Sequence, residues 1–322
     1  METHCVTAVV GSNSPSRVKF CSTFAKKSES QGLEIYHRTG CTQSLLNPAT
    51  YPEKIVHLAK AVTLSTFPVF LLPSDGTFDW SGAETAIALD SAGLSRGLIV
   101  SKRGLFGKEK INKLLGDTKL SGYKIVEVAE DRYEGVDLDS VIEPATRGYT
   151  VVSVDNVFTV KGVGLVALGF VMGGSVGVHD GLKATSGKTV EIRSLQVMDK
   201  DVEEAGAGTR VGMAIKGLTE KELEDETFLV KDCSFKSKFK ARLVKNRFYK
   251  QDVMSSKSLH LSLFGQVVPC VIENLENGMA LLNCARPIPD AAESALLINL
   301  NLNPGALRIA GTLELGDAQW LS

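Results

Sequence analysis

The chain has 322 residues, 43% hydrophobic and 23% charged, the balance of a packed globular protein of two or three domains. Its 36 basic and 37 acidic residues leave a formal charge of -1, so any surface for a polyanion must be local. No run approaches the roughly 18–20 apolar residues of a membrane span, and Met1–Cys5 lacks the basic start of a secretory signal. The six cysteines (Cys5, Cys21, Cys41, Cys233, Cys270 and Cys284) include no pair two residues apart, which excludes the usual zinc and redox spacings. A cytoplasmic protein with reduced thiols and no membrane partner is expected.

In chain order, Val6–Val10 is an apolar run ending at Gly11, the pattern of a buried strand, and Leu33–His37 is a second strand. Ile55, Leu58, Ala59 and Val62 stand at helical spacing within residues 53–63. Phe67–Leu72 predicts a strand, and Ser81 with Glu84 forms a capping box for a helix that runs through Asp90 and stops at Gly93. Strand Leu98–Ser101, helix Lys108–Leu115 and strand Lys124–Ala129 follow. Strand and helix in alternation imply a parallel sheet with covered faces over residues 1–147. Linkers are expected at Glu143–Thr150, which holds Pro144 and Gly148, and at Lys231–Ser234.

Residues 151–217 read differently. Short strands rich in Val, Thr, Ile and Phe are cut by Gly162, Gly164, Gly169, Gly173, Gly174, Gly177 and Gly181, the writing of a small, sharply bent antiparallel barrel. This unit, 148–232, closes near Leu218–Val230 after the acidic loop Glu220–Glu226, which reads as a solvated loop. From Phe235, Lys236, Lys238, Lys240 and Arg242 alternate with Ser237, Phe239, Ala241 and Leu243, so one strand face is basic and the other packs inward. Lys245, Arg247 and Lys250 extend the run with no acidic residue between 236 and 250, and Phe248 and Tyr249 offer stacking partners, so an RNA strand fits this face. A solvated outer strand whose lysines discourage edge pairing is the competing account. Strands at Ser258–Phe264, Val267–Glu273, Gly278–Cys284, Ala295–Leu302 and Leu307–Leu315 complete a second antiparallel barrel over 233–322.

The segments Asp155-Asn156-Val157-Phe158-Thr159-Val160-Lys161-Gly162-Val163-Gly164, Ile192-Arg193-Ser194-Leu195-Gln196 and Ala205-Gly206-Ala207-Gly208-Thr209-Arg210-Val211-Gly212 closely resemble the second domain of translational GTPases. The nearest likeness is to the elongation factor Tu and selenocysteine-specific elongation factor branch. The resemblance implies a P-loop-GTPase-like α/β domain followed by two β-barrels, with tRNA or the ribosome as partner, and DNA as none. In that family the middle barrel holds the aminoacyl end of tRNA; by position Asp155 and Arg193 match pocket-lining residues, while Asn156 stands where the selenocysteine branch has a second basic residue. Turn chemistry at a strand start would equally account for Asp155 and Asn156, and a half-buried arginine paired to a carboxylate for Arg193. The sequence ends at Ser322, so the fourth domain of selenocysteine factors is not expected.

The nucleotide stations of the family are altered. A phosphate loop needs two glycines, a lysine for the β/γ charge and a hydroxyl for Mg²⁺. Here Gly11 fits the first glycine, but Ser16 replaces the second, Arg17 the lysine and Val18 the hydroxyl, and Pro15 removes a backbone donor. At the second station, Asn47–Lys54, no Asp, Gly or His remains to hold Mg²⁺-bound water or orient the nucleophile; Pro48, Tyr51 and Pro52 sit nearest. At the guanine-reading station, Ser101-Lys102-Arg103-Gly104, the lysine stays and the carboxylate has become Gly104. The expectation is a pseudo-GTPase that binds neither GTP, GDP nor Mg²⁺, with Gly11, Arg17 and Lys102 as remnants. Two other readings stand beside it: a GTPase using Arg17 and Lys102 on phosphates, and a structural subunit holding a translation-factor protein. No metal-ligand spacing occurs among the histidines His4, His37, His57, His179 and His260, and no Gly-x-Ser-x-Gly occurs.

Overall fold

The computed structural model describes residues 5–38, 43–130, 132–139, 148–224, 226–254 and 259–321. The first unit holds strands β1 (Cys5–Val10), β2 (Lys26–Gln31), β3 (Leu33–His37), β4 (Gln43–Pro48), β5 (Val69–Leu71), β6 (Leu98–Lys102) and β7 (Lys124–Val128). Its helices are α1 (Ser14–Phe24), α2 (Ile55–Leu64), α3 (Trp80–Ser91) and α4 (Lys108–Leu115). The sheet order is β2-β3-β4-β1-β5-β6-β7. It is parallel from β4 to β7, as expected, while β3 runs antiparallel to both its neighbours, so the sheet is mostly parallel. Strands β2 and β4 and helix α1 were not read from the sequence; β4 (Gln-Ser-Leu-Leu-Asn-Pro) carries only two apolar residues yet is buried along its length.

Alternation along β1 assigns the two faces. Val6, Ala8 and Val10 join a core with α2, α3 and α4, whereas Cys5 and Val9 join one with Phe20 and Cys21 of α1 and Tyr133, Val136 and Leu138. Helix α2 is apolar almost all round, with Ile55, Leu58, Ala59, Ala61, Val62 and Leu64 buried, because it is covered twice: by the sheet and by the last barrel. The α3 cap also differs from expectation. Asp79 is the N-cap, accepting from the Gly82 N–H at 2.9 Å and from the Ser81 hydroxyl at 2.8 Å, while Glu84 turns inward to a tertiary partner.

The middle barrel comprises β8 (Thr150–Val160), β9 (Gly164–Gly173), β10 (Ser175–Gly177), β11 (Gly181–Ala184), β12 (Thr189–Val197), β13 (Lys200–Val202), β14 (Glu204–Gly206), β15 (Arg210–Lys216) and β16 (Phe228–Lys231). The ring β11-β16-β8-β9-β15-β12 closes through the β11–β12 pairing. The stretch 220–226, expected as a loop, begins with a single helical turn, α5 (Glu220–Glu224), and Glu226 is buried. The third unit is a closed barrel of β17 (Phe235–Lys245), β18 (Leu259–Leu263), β19 (Gln266–Glu276), β20 (Met279–Pro289), β21 (Ser294–Asn299) and β22 (Ile309–Trp320), in order β17-β20-β19-β18-β21-β22. The link between the two barrels falls at 232–234, inside the expected Lys231–Ser234. Of the other expected linker, residues 143–147 lie outside the described residues, as do Ser258, Cys41 and His4.

Candidate functional site

The crevice at the carboxyl ends of β1, β4 and β5 is where a doubly wound sheet places a ligand. Gly11 ends β1 at φ +148, and a Cβ there would lie 2.3 Å from the Leu71 carbonyl oxygen, so the close approach of β5 alone requires glycine. Helix α1 then starts with its own cap: Asn13 Oδ1 accepts from the Ser16 N–H at 2.8 Å, and Pro15 offers no N–H. Of the backbone donors in this turn, the Ser16 and Arg17 N–H groups are engaged by Asn13 and Pro15 has none to offer.

Arg17 fills the crevice from within. Its side chain is fully buried; Nε donates to Asn47 Oδ1 at 2.9 Å, Nη1 to the Gly11 carbonyl at 2.5 Å, and Nη2 to the carbonyls of Pro48 at 3.0 Å and Tyr51 at 2.8 Å. Burial pushes its pKa down to about 10, partly offset by Tyr51, Cys21 and Glu34, so the guanidinium is still charged at neutral pH. Asn47 relays this charge: its Nδ2 donates to Glu34 Oε2 at 2.8 Å, an oxygen that also accepts from the Tyr36 hydroxyl at 2.8 Å, while Lys27 pairs with Glu34 Oε1. Burial alone would raise the Glu34 pKa, but hydrogen bonds from Lys27, Tyr36 and Asn47 outweigh it and the net shift is downward. Arg17 is thus the charged end of an internal network rather than a cation facing solvent. Lys102, at the end of β6, is half-buried; β6 is separated from β1 by β5, and Lys102 bonds neither Gly11 nor Arg17 among the described contacts.

Asp155 and Arg193 both fall at register shifts, between Val154 and Asn156 on β8 and between Ile192 and Ser194 on β12. Asp155 is not turn chemistry at a strand start. Its Oδ2 accepts from Arg210 Nε at 2.9 Å, Arg210 Nη1 lies 3.5 Å from His37 Nε2, and the Arg210 guanidinium sits over the Phe170 ring. This cluster faces the first domain, and Asp155 acts on Lys60 of α2, whose pKa burial nevertheless lowers. Asn156 uses its side chain locally, accepting from the Val157 N–H at 2.9 Å. Arg193 is exposed, not half-buried and paired; no carboxylate partners it among the described residues. The structure therefore places Asp155 and Asn156 side by side and brings Arg193 into contact with neither. Arg210, inside a segment already noted for its likeness to the family, is the residue missed at this place; only its position one strand from β9 could have flagged it.

The alternation of β17 holds, with Phe239, Ala241 and Leu243 buried and Lys236, Lys238, Lys240 and Arg242 outward. The inference that this face lacks counter-charge does not hold, because other strands supply it: Lys238 pairs across β20 with Glu273 of β19 at 2.7 Å, and Arg242 with Glu314 of the adjacent β22 at 3.8 Å. Tyr249 is buried, its hydroxyl accepting from Asn299 Nδ2 at 2.9 Å, so it is no stacking platform. The exposed end of the run is Lys245, Arg247, Phe248 and Lys250; Phe248 is 55% exposed, and the Arg247 guanidinium lies 4.7 Å from its ring centroid.

A further charged cluster was not read from the sequence. Arg308, just before β22, donates from Nε and Nη2 to Glu84 of α3 at 3.1 and 2.6 Å, with both side chains 2% exposed. It also donates to the carbonyls of Glu53 at 3.0 Å and Pro52 at 2.8 Å. Glu84 read as a cap because its partner lies 224 positions away.

Comparison with known proteins follows this geometry. No family model matches the chain. An uncharacterized protein of Methanocaldococcus jannaschii is 27% identical over 298 residues, covering 90% of this chain and 94% of that one. The selenocysteine-specific elongation factor of the same organism is 25% identical over 269 residues, 72% of this chain but 56% of the factor, and that of Escherichia coli is 41% identical over 71 residues. Among solved structures, translation elongation factor SelB of Methanococcus maripaludis superposes with a TM-score of 0.73 without ligand and 0.74 with the GTP analogue GppNHp, at 18% and 19% identity, over 98% of this chain and 80% of that one. A bacterial selenocysteine-specific factor gives 0.75 at 15% identity, over 98% of this chain and 58% of that one. The fold is that of these translation factors, and the resemblance carried by the barrel segments is borne out across all three units.

Proposed function

We propose that this chain is a cytoplasmic, translation-associated protein of elongation-factor type that neither binds nor hydrolyses GTP and that contacts RNA, tRNA or ribosomal, through its barrels. One observation carries the first half: the cation standing where the phosphate-binding lysine belongs spends four donor contacts on protein oxygens and is fully buried. The one guanidinium hydrogen these contacts leave over, on Nη1, is buried with the rest, so a phosphate would have to open this packing to engage it. Absent the hydroxyl at Val18 and any acid at 47–52, a metal ion finds neither of its usual protein ligands at the phosphate loop and the second station.

The RNA half is supported by the likeness to selenocysteine-specific elongation factors and by the exposed set Lys245, Arg247, Phe248 and Lys250, where a guanidinium already stacks on an open ring. Lys236 and Lys240 flank it on the outer face of β17. Two measurements test the proposal. Calorimetric titration with GTP or GDP and Mg²⁺ should give no heat of binding; micromolar affinity with phosphate release would instead make the chain a GTPase using Arg17 and Lys102. Filter binding of tRNA should show affinity that falls steeply with salt, and Lys245→Glu, Arg247→Glu and Lys250→Glu together should lower the log–log salt slope by roughly 2–3. Lys238→Glu with Arg242→Glu should do less, since both are already paired. Equal losses from both variants would remove the loop from the argument.

A further inference from the structure

The segment 47–53 is held by two arginines from opposite sides. Arg17 of α1 takes Asn47 Oδ1 and the carbonyls of Pro48 and Tyr51; Arg308 of the third unit takes the carbonyls of Pro52 and Glu53. Between them lies Tyr51, whose ring centroid is 5.9 Å from each guanidinium carbon. The Tyr51 hydroxyl donates to the Ser81 carbonyl of α3 at 2.6 Å and accepts from Thr85 at 3.2 Å, and Glu84, one turn along α3, holds Arg308 by two oxygens. Each of the carbonyls of Pro48, Tyr51, Pro52 and Glu53 is thus paired to one of two fixed cations, and the side chains of Arg17, Tyr51, Glu84 and Arg308 are buried while the Pro52 and Glu53 carbonyls are part-buried.

In switching GTPases the segments beside the phosphates are ordered by the γ-phosphate and its Mg²⁺ and released on hydrolysis. Here the ordering charges belong to the chain itself and cannot leave. We propose that Arg17 and Arg308 act as built-in ligands of segment 47–53, forming a two-sided clamp that latches the first domain and the third barrel permanently into one state. This goes beyond the proposed function, since the latch holds whether or not the chain binds RNA. Its consequence is reciprocal coupling: two arginines 291 positions apart stabilise one segment, so loosening either loosens the other's hold by the same factor. A plain interface ion pair would lack that property. The interface has such a plain contact for comparison, the Thr312 hydroxyl donating to the Ser91 carbonyl at 2.8 Å, which does not touch the segment.

The test uses the full chain labelled with ¹⁵N and reads solvent exchange of the two arginine Nε–H protons, which both lie in buried hydrogen bonds. Arg308→Met should speed exchange at Arg17 Nε–H by about tenfold or more, and Arg17→Met should speed Arg308 Nε–H by a similar factor. Thr312→Val should leave both within about twofold of the unaltered chain. Should Arg308→Met not fold, Glu84→Gln keeps the shape of the pair, removes one charge, and is read in the same way. Exchange at the distant arginine within twofold of the unaltered chain would overturn the clamp. So would an acceleration by Thr312→Val as large as that by Arg308→Met, which would mean general loosening of the interface.

Discussion

Arg17→Met exposes what the buried cation contributes. Methionine has similar length and no donors, so packing is largely kept and the polar ledger decides. The unaltered chain makes four hydrogen bonds from the guanidinium to buried oxygens. At roughly 1.5–3 kcal/mol for each bond to a charged group, the gross loss is about 6–12 kcal/mol. Against it stands the burial penalty of the cation: a pKa held down at about 10 corresponds to about 3 kcal/mol that the variant no longer bears. Relaxation and water entry recover more, and removing one partner of a buried charged network typically leaves about 3–5 kcal/mol of net destabilisation. For a domain of 150–250 residues that is a fall of roughly 6–20 °C in the unfolding midpoint. Calorimetry or circular dichroism reads it directly. If Arg17 instead waited for a phosphate, its bonds to Asn47, Pro48 and Tyr51 would be dispensable. A midpoint within about 2 °C of the unaltered chain, far below the range expected from the bonds lost, would refute the reasoning.

Two further outcomes follow from neighbouring contacts. Glu34 has a folded-state pKa below its ordinary value, so its carboxylate contributes stability that is fully present above about pH 4.3, the unfolded value, and is lost as pH falls through the lower folded value. The difference in unfolding midpoint between the unaltered chain and Glu34→Gln should therefore be constant near neutrality and narrow progressively as the solution is acidified below the unfolded pKa; a gap that keeps its neutral-pH size throughout the acid range would show that charge is not its source. Gly265 sits at φ +75 in the turn between β18 and β19, and a Cβ there would lie 2.2 Å from Leu64 Cγ of α2. Gly265→Ala combines a left-handed backbone with overpacking and should cost about 2–4 kcal/mol, read as a lowered midpoint; a change below about 0.5 kcal/mol would mean that the α2 interface yields freely.

What could be read from the sequence was whatever is encoded locally. Glycine spacing and β-branched runs wrote the barrels, and Val6–Val10, Phe67–Leu72 and Leu98–Ser101 announced buried strands by their largely apolar composition. Strand β4 escaped because its burial comes from central placement beside β1, not from its own composition. The charged residues failed for a related reason. Glu84 resembled a capping residue, and Lys238 and Arg242 looked uncompensated, because Arg308, Glu273 and Glu314 reach them from other strands and domains. Arg17 was singled out as a phosphate-loop remnant, but sequence position says nothing about where a guanidinium points. Arg has five donors in a planar fork, enough to satisfy a ring of converging carbonyls that a lysine's three could not span, and that ring is built from residues 11, 47, 48 and 51.

The substitution of arginine for lysine therefore has a physical consequence larger than a changed motif. A sheet crevice lined by carbonyl oxygens needs a cation or donors to be stable, and a bound ligand or metal supplies them only while it is present. Arg17 supplies them permanently, with its own pKa still high enough to keep the charge across physiological pH. Arg308 does the same for the next two carbonyls and adds Glu84, joining the crevice to the last barrel. A protein with two accessible states binds a partner with an affinity reduced by the fraction in the wrong state; a latched one avoids that loss and forgoes timing. Under the proposed function, the α/β domain is retained for a reason in packing. Helix α2 packs between its sheet and strands β18, β19 and β21 of the third barrel, so the barrel could not shed the first domain without exposing to water the face that α2 covers.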